Sequence, residues 1–182
     1  MKGCRVLTGD EIRNLMVNLS PRDRLLALTG LTFGTRISET LGLSFGDVSG
    51  KHLSIRSSKG SDNAVFPVPA PYREAVEAVR EEYKTGGIEV TPATPLFISR
   101  NGTTMTRQAA SQIVKHTCQA LGIEGKVNTH SLRKSFVTAI YQKTNFDIAA
   151  TKRYSRHKSL ANLDYYISTT DTTDLVNELN WG

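Results

Sequence analysis

His130-Ser131-Leu132-Arg133 sets an imidazole and a guanidinium three residues apart, at the head of a segment whose apolar residues Phe136, Val137 and Ile140 recur at helical spacing. Residues three apart share one face of an α-helix. The pair offers a planar fork of hydrogen-bond donors that fits a phosphate, with a second, titratable donor beside it. Taken alone, it equally describes a basic helix face turned to solvent. Three other fragments of the chain supply what a phosphate-attacking site would still lack.

The bulk numbers narrow the field. At 182 residues the chain suits one compact domain, and 38% hydrophobic residues with 7% aromatics describe a globular protein with a modest core. A net charge of +6 and a pI near 9.4 point toward a polyanionic partner. No apolar run approaches the roughly 20 residues of a membrane span, and the N-terminus lacks the blocks of a signal peptide. Cys4 and Cys118 stand far apart, outside any metal-ligand spacing. They read as free thiols of a reducing compartment, so a cytoplasmic protein is expected.

Taken in order, Thr8-Gly-Asp-Glu11 is a capping box, and Ile12, Leu15, Met16 and Leu19 predict a helix over 9–19. Ser20-Pro21 restarts a helix with an N-cap and a proline at its first position. Its buried side is Leu25, Leu26, Leu28 and Leu31, and Gly30 and Gly34 break the pattern. A short helix is expected over 37–43, with Arg36 and Glu39 three apart. That pair reads as a surface ion pair, as an arginine held in place by a carboxylate, or as both. The Gly30 and Gly34 spacing lacks the Lys-Ser/Thr ending of a phosphate loop, which excludes that motif.

Residues 47–69 change character. Leu53 and Ile55 alternate with polar residues, a turn cluster runs from Ser57 to Asn63, and Val65, Phe66 and Val68 follow. This predicts a β-hairpin with Lys59 at its tip. Further helices are expected from Pro71 to about Lys84, from Thr106 to about Leu121, after Thr129, and over 146–154 with Ala149-Ala150 as its helix-favouring core. Residues 88–105 read as loop. Leu175, Val176, Leu179 and Trp181 give the tail an apolar stripe that needs a groove, in this molecule or in a neighbour. The sum is a mainly helical α+β fold with a small antiparallel β-sheet near the Lys59 hairpin.

The chemistry-bearing residues are then Arg36, Lys59, His130, Arg133, His157 and a tyrosine at 165 or 166. Two arginines can neutralise and orient the non-bridging oxygens of a phosphodiester. A tyrosine hydroxyl can attack phosphorus if its proton is accepted or its charge stabilised, because its ordinary pKa is about 10. The departing sugar alkoxide needs a proton, which a lysine or histidine can give. This chemistry requires no cofactor and no metal.

Order and local sequence resemble the tyrosine recombinase, or phage integrase, family. The matching pieces are Gly34-Thr-Arg-Ile-Ser-Glu39 with Leu41-Gly-Leu43 and Asp47-Val48; Ser58-Lys59-Gly60 leading to Val65-Phe-Pro-Val-Pro69; His130-Ser-Leu-Arg133; and His157-Lys-Ser159 with Tyr166 nine residues on. The likeness spans Leu7 to Tyr166. The resemblance implies a catalytic domain in which Arg36 and Arg133 clamp the phosphate and His130 bonds it or assists proton transfer. Lys59 would be the general acid, His157 a donor to a non-bridging oxygen, and Glu39 a support behind them. Tyr166 would be the nucleophile, forming a 3′-phosphotyrosyl link. Adjacent residues on a helix point about 100° apart, so only one of the two tyrosines faces the phosphate, and the family's nine-residue step selects Tyr166. Tyr72, Tyr83, Tyr141 and Tyr154 lack such context and read as structural.

The family reading carries further expectations. Double-stranded DNA is the partner, with self-assembly to a tetramer on it. Residues 1–182 form a single catalytic domain without an N-terminal DNA-clamping domain, and the tail, about 169–182, is exchanged between protomers. The competing activities are a type IB topoisomerase-like relaxing enzyme and a non-cleaving DNA-binding regulator. The chain also departs from the family pattern. Thr40 stands at a usually apolar position, and Ser155-Arg156 replaces Leu-Gly before His157. An arginine in place of a positive-φ glycine is strained. That predicts a differently built turn, with Arg156 offered as a DNA contact.

Overall fold

Thr8 accepts a hydrogen bond from the Glu11 amide while Glu11 returns one to the Thr8 amide, and this reciprocal cap starts α1 (Gly9–Val17). The computed structural model describes residues 3–56, 63–156 and 163. Helix α1 stops two residues short of the expected end, yet Leu19 still reaches the core. Ser20 caps α2 (Pro21–Phe33), with Pro21 at its start.

Helix α2 is where the sequence pattern misleads. It runs through Gly30 unbroken and ends at Gly34, whose φ of 59° closes the helix in the left-handed region. Gly30 is a packing glycine. A Cβ there would sit 3.0 Å from the Leu132 Cβ, so the absent side chain lets another helix approach. Leu25, Leu26, Ala27, Thr29, Gly30 and Phe33 are all buried, while Leu28 and Leu31 are only half-buried. A helix covered on several sides needs no polar face, and α2 packs against four helices besides its neighbour α1.

The short helix α3 (Ile37–Leu41) and a 3-10 turn (Phe45–Asp47) lead into the sheet. Strands β2 (His52–Ile55) and β3 (Ala64–Pro67) form the expected antiparallel pair, with Leu53 opposite Phe66. A third strand, β1 (Val48–Ser49), extends it in the order β1-β2-β3. Two residues are too few to show an alternating pattern, so β1 left no signal in the sequence. Leu53 and Ile55 turn inward; His52 is exposed. The hairpin tip with Lys59 lies outside the described residues.

Helix α4 (Ala70–Thr85) buries Tyr72, Val76, Val79 and Tyr83. The stretch 88–105 contains neither helix nor strand but is tied in by bridges between Ser44 and Pro95 and between Ile98 and Thr104. Its run Leu96-Phe97-Ile98 belongs to the core. Thr106 caps α5 (Arg107–Ala120), whose buried line is Ala110, Val114 and Cys118; Ala120 is exposed.

Helix α6 (Thr129–Lys143) starts one residue before expectation, because Asn128 is its cap. Seven consecutive residues, Ser131 to Val137, are buried. One cover is the N-terminal segment before α1. The Leu7 amide donates to Ser135 Oγ at 2.9 Å, the Arg5 amide donates to the Lys126 carbonyl at 3.1 Å, and Lys134 Nζ reaches the Cys4 carbonyl at 3.3 Å. Arg5 also grips Glu11 in a forked pair at 2.5 and 2.8 Å, which holds the Glu11 carboxyl down at about 2. Thus Lys134 and Ser135 are bonded inside the fold and Arg133 is buried beside them, so this stretch of α6 is not a solvent-facing basic face.

After α6, Asn145 and Phe146 take left-handed conformations and Asp147 caps α7 (Ile148–Ser155). Phe146 is therefore outside the helix expected to contain it. Ala149 is exposed, and the buried positions are Thr151 and Ser155. Leu163 is fully buried with Phe136 and Val137. His157, both adjacent tyrosines and the C-terminal tail lie outside the described residues. Among the described residues no helix is long and apolar enough to cross a membrane.

Candidate functional site

Helix α6 presents His130 and Arg133 from its first two turns, and the left-handed turn at Gly34 delivers Arg36 to the same region. The link between them is Arg133 itself. Its guanidinium, 1% exposed, donates to the Gly34 carbonyl through Nη1 and to the Ser155 carbonyl through Nη2 at 3.2 Å. One side chain thereby fixes the turn before α3 against the end of α7. Truncating it leaves buried carbonyls unsatisfied, at about 1–3 kcal/mol for each such group.

Arg36 is the more accessible arginine, with 28% of its side chain exposed. Its Nη1 donates to Glu39 Oε1 at 3.1 Å, and its amide donates to Glu39 Oε2 at 2.9 Å. The Glu39 side chain is wholly buried. Of a surface ion pair, a supported arginine or both, the burial of Glu39 decides for the support. Thr40 owes its place to a local bond, since its hydroxyl meets Thr35 Oγ1 at 2.7 Å and so is satisfied within the turn.

Arg156 was missed as a site component. It does adopt the glycine-like conformation, φ 56° and ψ 34°, so the turn is built in the left-handed form and not differently. Its side chain turns inward, 7% exposed, and Nη2 donates to Glu39 Oε2 at 3.0 Å. An exposed DNA contact is excluded by that burial. The left-handed conformation costs a non-glycine residue about 1–2 kcal/mol. Arg156 Nε and Nη1 are also buried without a hydrogen-bond partner among the described residues, at about 1–3 kcal/mol of desolvation. The Phe66 ring, 5.6 Å from the guanidinium carbon, offsets part of this.

His130 lines a cleft of about 550 Å³ together with Ile37, Thr106, Arg107, Gln108, Ser111 and Asn128. Burial pushes its pKa below 6.5, and the positive charges of Arg133 and Arg36 push it further down. The imidazole is therefore held neutral near pH 7 in the free protein. Because the folded value lies below the unfolded one, the native state loses stability as pH falls from above 6.5 through the folded value. In thermal unfolding between pH 7.5 and 5.5, His130→Gln is expected to lose less stability than the wild-type protein. Equal losses would contradict this placement of His130.

Of the remaining tyrosines, Tyr72, Tyr83 and Tyr141 behave as structural residues and Tyr154 does not. Tyr72, 1% exposed, hydrogen-bonds Thr29 at 3.0 Å, and burial raises its pKa to about 12. Tyr83 donates to the Leu96 carbonyl and accepts from the Ile98 amide, both at 2.9 Å. Tyr141 packs edge-on against Phe146. Tyr154 is exposed on α7. Among the described residues no three of His, Cys, Asp and Glu form a metal-holding group.

Fold and cluster define a mainly helical α+β domain with a cationic centre built on α3, α6 and the turn after α7. The chain belongs to the Phage integrase family, which matches residues 5–173. It is 29% identical over 161 residues to the tyrosine recombinase XerD of Corynebacterium glutamicum, covering 87% of this chain and 51% of that protein. Identity is 33% over 137 residues to the type 1 fimbriae regulatory protein FimE of Escherichia coli K12, covering 71% of this chain and 68% of the relative. The chain spans about half the length of the XerC and XerD relatives it matches. Among solved structures, the XerA recombinase superposes with a TM-score of 0.76 at 20% identity, over 92% of this chain and 61% of that one. A post-cleavage complex of the XerH recombinase with its palindromic difH substrate gives 0.72 at 22% identity, over 90% and 49%.

Proposed function

We propose that this chain is the strand-transferring unit of a site-specific DNA recombinase. The carrying observation is the convergence of Arg36, His130 and Arg133, the last tying the Arg36 turn to the end of α7. In this reading the Tyr166 Oη attacks the scissile phosphorus and the bond to the 5′ oxygen breaks. The tyrosine proton is lost to a neighbouring base, for which neutral His130 is suited, and Lys59 protonates the departing 5′ oxygen. Arg36 and Arg133, with His157, stabilise charge on the non-bridging oxygens. The 3′-phosphotyrosyl ester keeps the bond energy, so attack by a 5′ hydroxyl reverses the step. Leu163, three residues before Tyr166, is buried against Phe136 and Val137 of α6.

The duplex would lie along the cleft and the exposed face of α5, where Arg107, Gln108, Gln112 and Lys115 present cationic and amide groups. Phosphate contacts from such a face supply much of the affinity and make it salt-dependent. The XerH structure holds its DNA substrate, and a lambda integrase dimer is seen on its core site, which supports the same partner here. Four protomers on two duplexes, with residues 169–182 reaching a neighbour, complete the proposal.

The test is incubation with nicked duplexes tiled across the DNA flanking its own gene, followed by a denaturing gel, with supercoiled plasmid in parallel. Covalent adducts confined to one sequence support recombination. Relaxation of plasmid at any sequence favours the topoisomerase-like activity. Tight binding with no adduct on any duplex favours the non-cleaving regulator.

A further inference from the structure

We propose that Arg156 is a positioning residue that keeps the charge of Arg36 available to a phosphate by taking up part of the charge of Glu39. This rests on the strand-transfer reading for its chemistry. Glu39 is wholly buried, and its two oxygens are divided. Among the described residues, Oε1 receives Arg36 Nη1, while Oε2 receives both the Arg36 amide and Arg156 Nη2. In a medium of low effective dielectric, a carboxylate 3.1 Å from a guanidinium cancels most of its field. A second guanidinium on the same carboxylate restores the surplus. Arg36 remains partly exposed while Arg156 is buried behind Glu39, so the surplus emerges at Arg36.

The backbone argues that this arrangement has a use beyond packing. Position 156 sits at φ 56°, a conformation that glycine takes freely and arginine does not. A buried arginine there also leaves Nε and Nη1 unpartnered among the described residues. The guanidinium serves the neighbouring carboxylate at the expense of the turn that carries it. The same contact joins the turn after α7 to the first turn of α3, so the segment leading to His157 and the arginine at position 36 are held by one carboxylate.

The variants that decide are Arg156→Gly, Arg156→Lys, Glu39→Gln and the double variant Glu39→Gln/Arg156→Gly, in the full chain. Glycine suits the backbone, so Arg156→Gly is expected to fold. At saturating nicked duplex its single-turnover adduct formation falls at least about tenfold, whereas Arg156→Lys, which keeps the charge, stays within about threefold of wild type. The double variant removes the carboxylate that Arg156→Gly leaves unbalanced, and it forms adduct at least about threefold faster than Arg156→Gly alone. A merely structural role gives the opposite order, with the double variant slower. Arg156→Gly cleaving like wild type, or a double variant no faster than Arg156→Gly, overturns the proposal. A wild-type chain that binds but forms no adduct refutes the strand-transfer reading instead. The charge balance is then judged on the salt dependence of duplex binding. Arg156→Gly lowers the slope by about 0.9, one phosphate contact, and the double variant restores it; an unchanged slope overturns it.

Discussion

Gly34→Ala is expected to destabilise the protein by about 2–5 kcal/mol. Two separate mechanisms add. Gly34 sits at φ 59°, where a Cβ costs about 1–2 kcal/mol. The new Cβ would also be driven into the Phe136 ring, and overpacking of a closed core costs about 1–3 kcal/mol. Phe136 cannot retreat freely, because it is packed with Val137 and Leu163. For a chain of this size the effect is a fall of roughly 4–20 °C in the unfolding midpoint. A loss below about 1 kcal/mol in denaturant titration would contradict the close approach of α2 and α6. Cleavage should suffer beyond the stability loss, since Arg133 holds the Gly34 carbonyl.

Arg36→Gln is expected to slow covalent adduct formation by about 10²- to 10³-fold, the usual loss when one donor to a developing oxyanion is removed. Its effect on folding should be small. The side chain is partly exposed, and Glu39 keeps the Arg156 contact. Arg133→Gln contrasts with it. That guanidinium is buried and bonded to Gly34 and Ser155, so its loss lowers stability and cleavage together. Equilibrium unfolding alongside single-turnover cleavage separates the two arginines. Equal stability losses in both variants would contradict the division into an accessible clamp and a buried tie.

The sequence made some of this visible because local physics acted alone. Caps at Thr8, Ser20 and Thr106 need only a side-chain oxygen and the amide three residues on, and all three were readable. The Arg36–Glu39 and His130–Arg133 spacings were readable for the same reason, since helical geometry fixes which residues share a face. Features set by distant partners were not. Gly30 looks like a helix breaker until Leu132 is placed against it. Helix α2 looks one-sided until the helices around it are assembled. Arg156 combined both difficulties. Its backbone conformation disfavours its side chain, and its partner Glu39 lies 117 residues away. The usable signal was the departure itself: a carboxylate in one motif and an arginine where a glycine was expected in another. Lys59, His157 and Tyr166 remain assigned by family resemblance, outside the described residues.

The most direct measurement is covalent trapping on nicked duplex by the wild-type chain, Tyr166→Phe and Tyr165→Phe, read on a denaturing gel. The predicted result is a protein–DNA adduct in the wild type and in Tyr165→Phe and none in Tyr166→Phe, with the DNA joined through its 3′ end. An adduct that survives in Tyr166→Phe and disappears in Tyr165→Phe would contradict the assignment of the nucleophile.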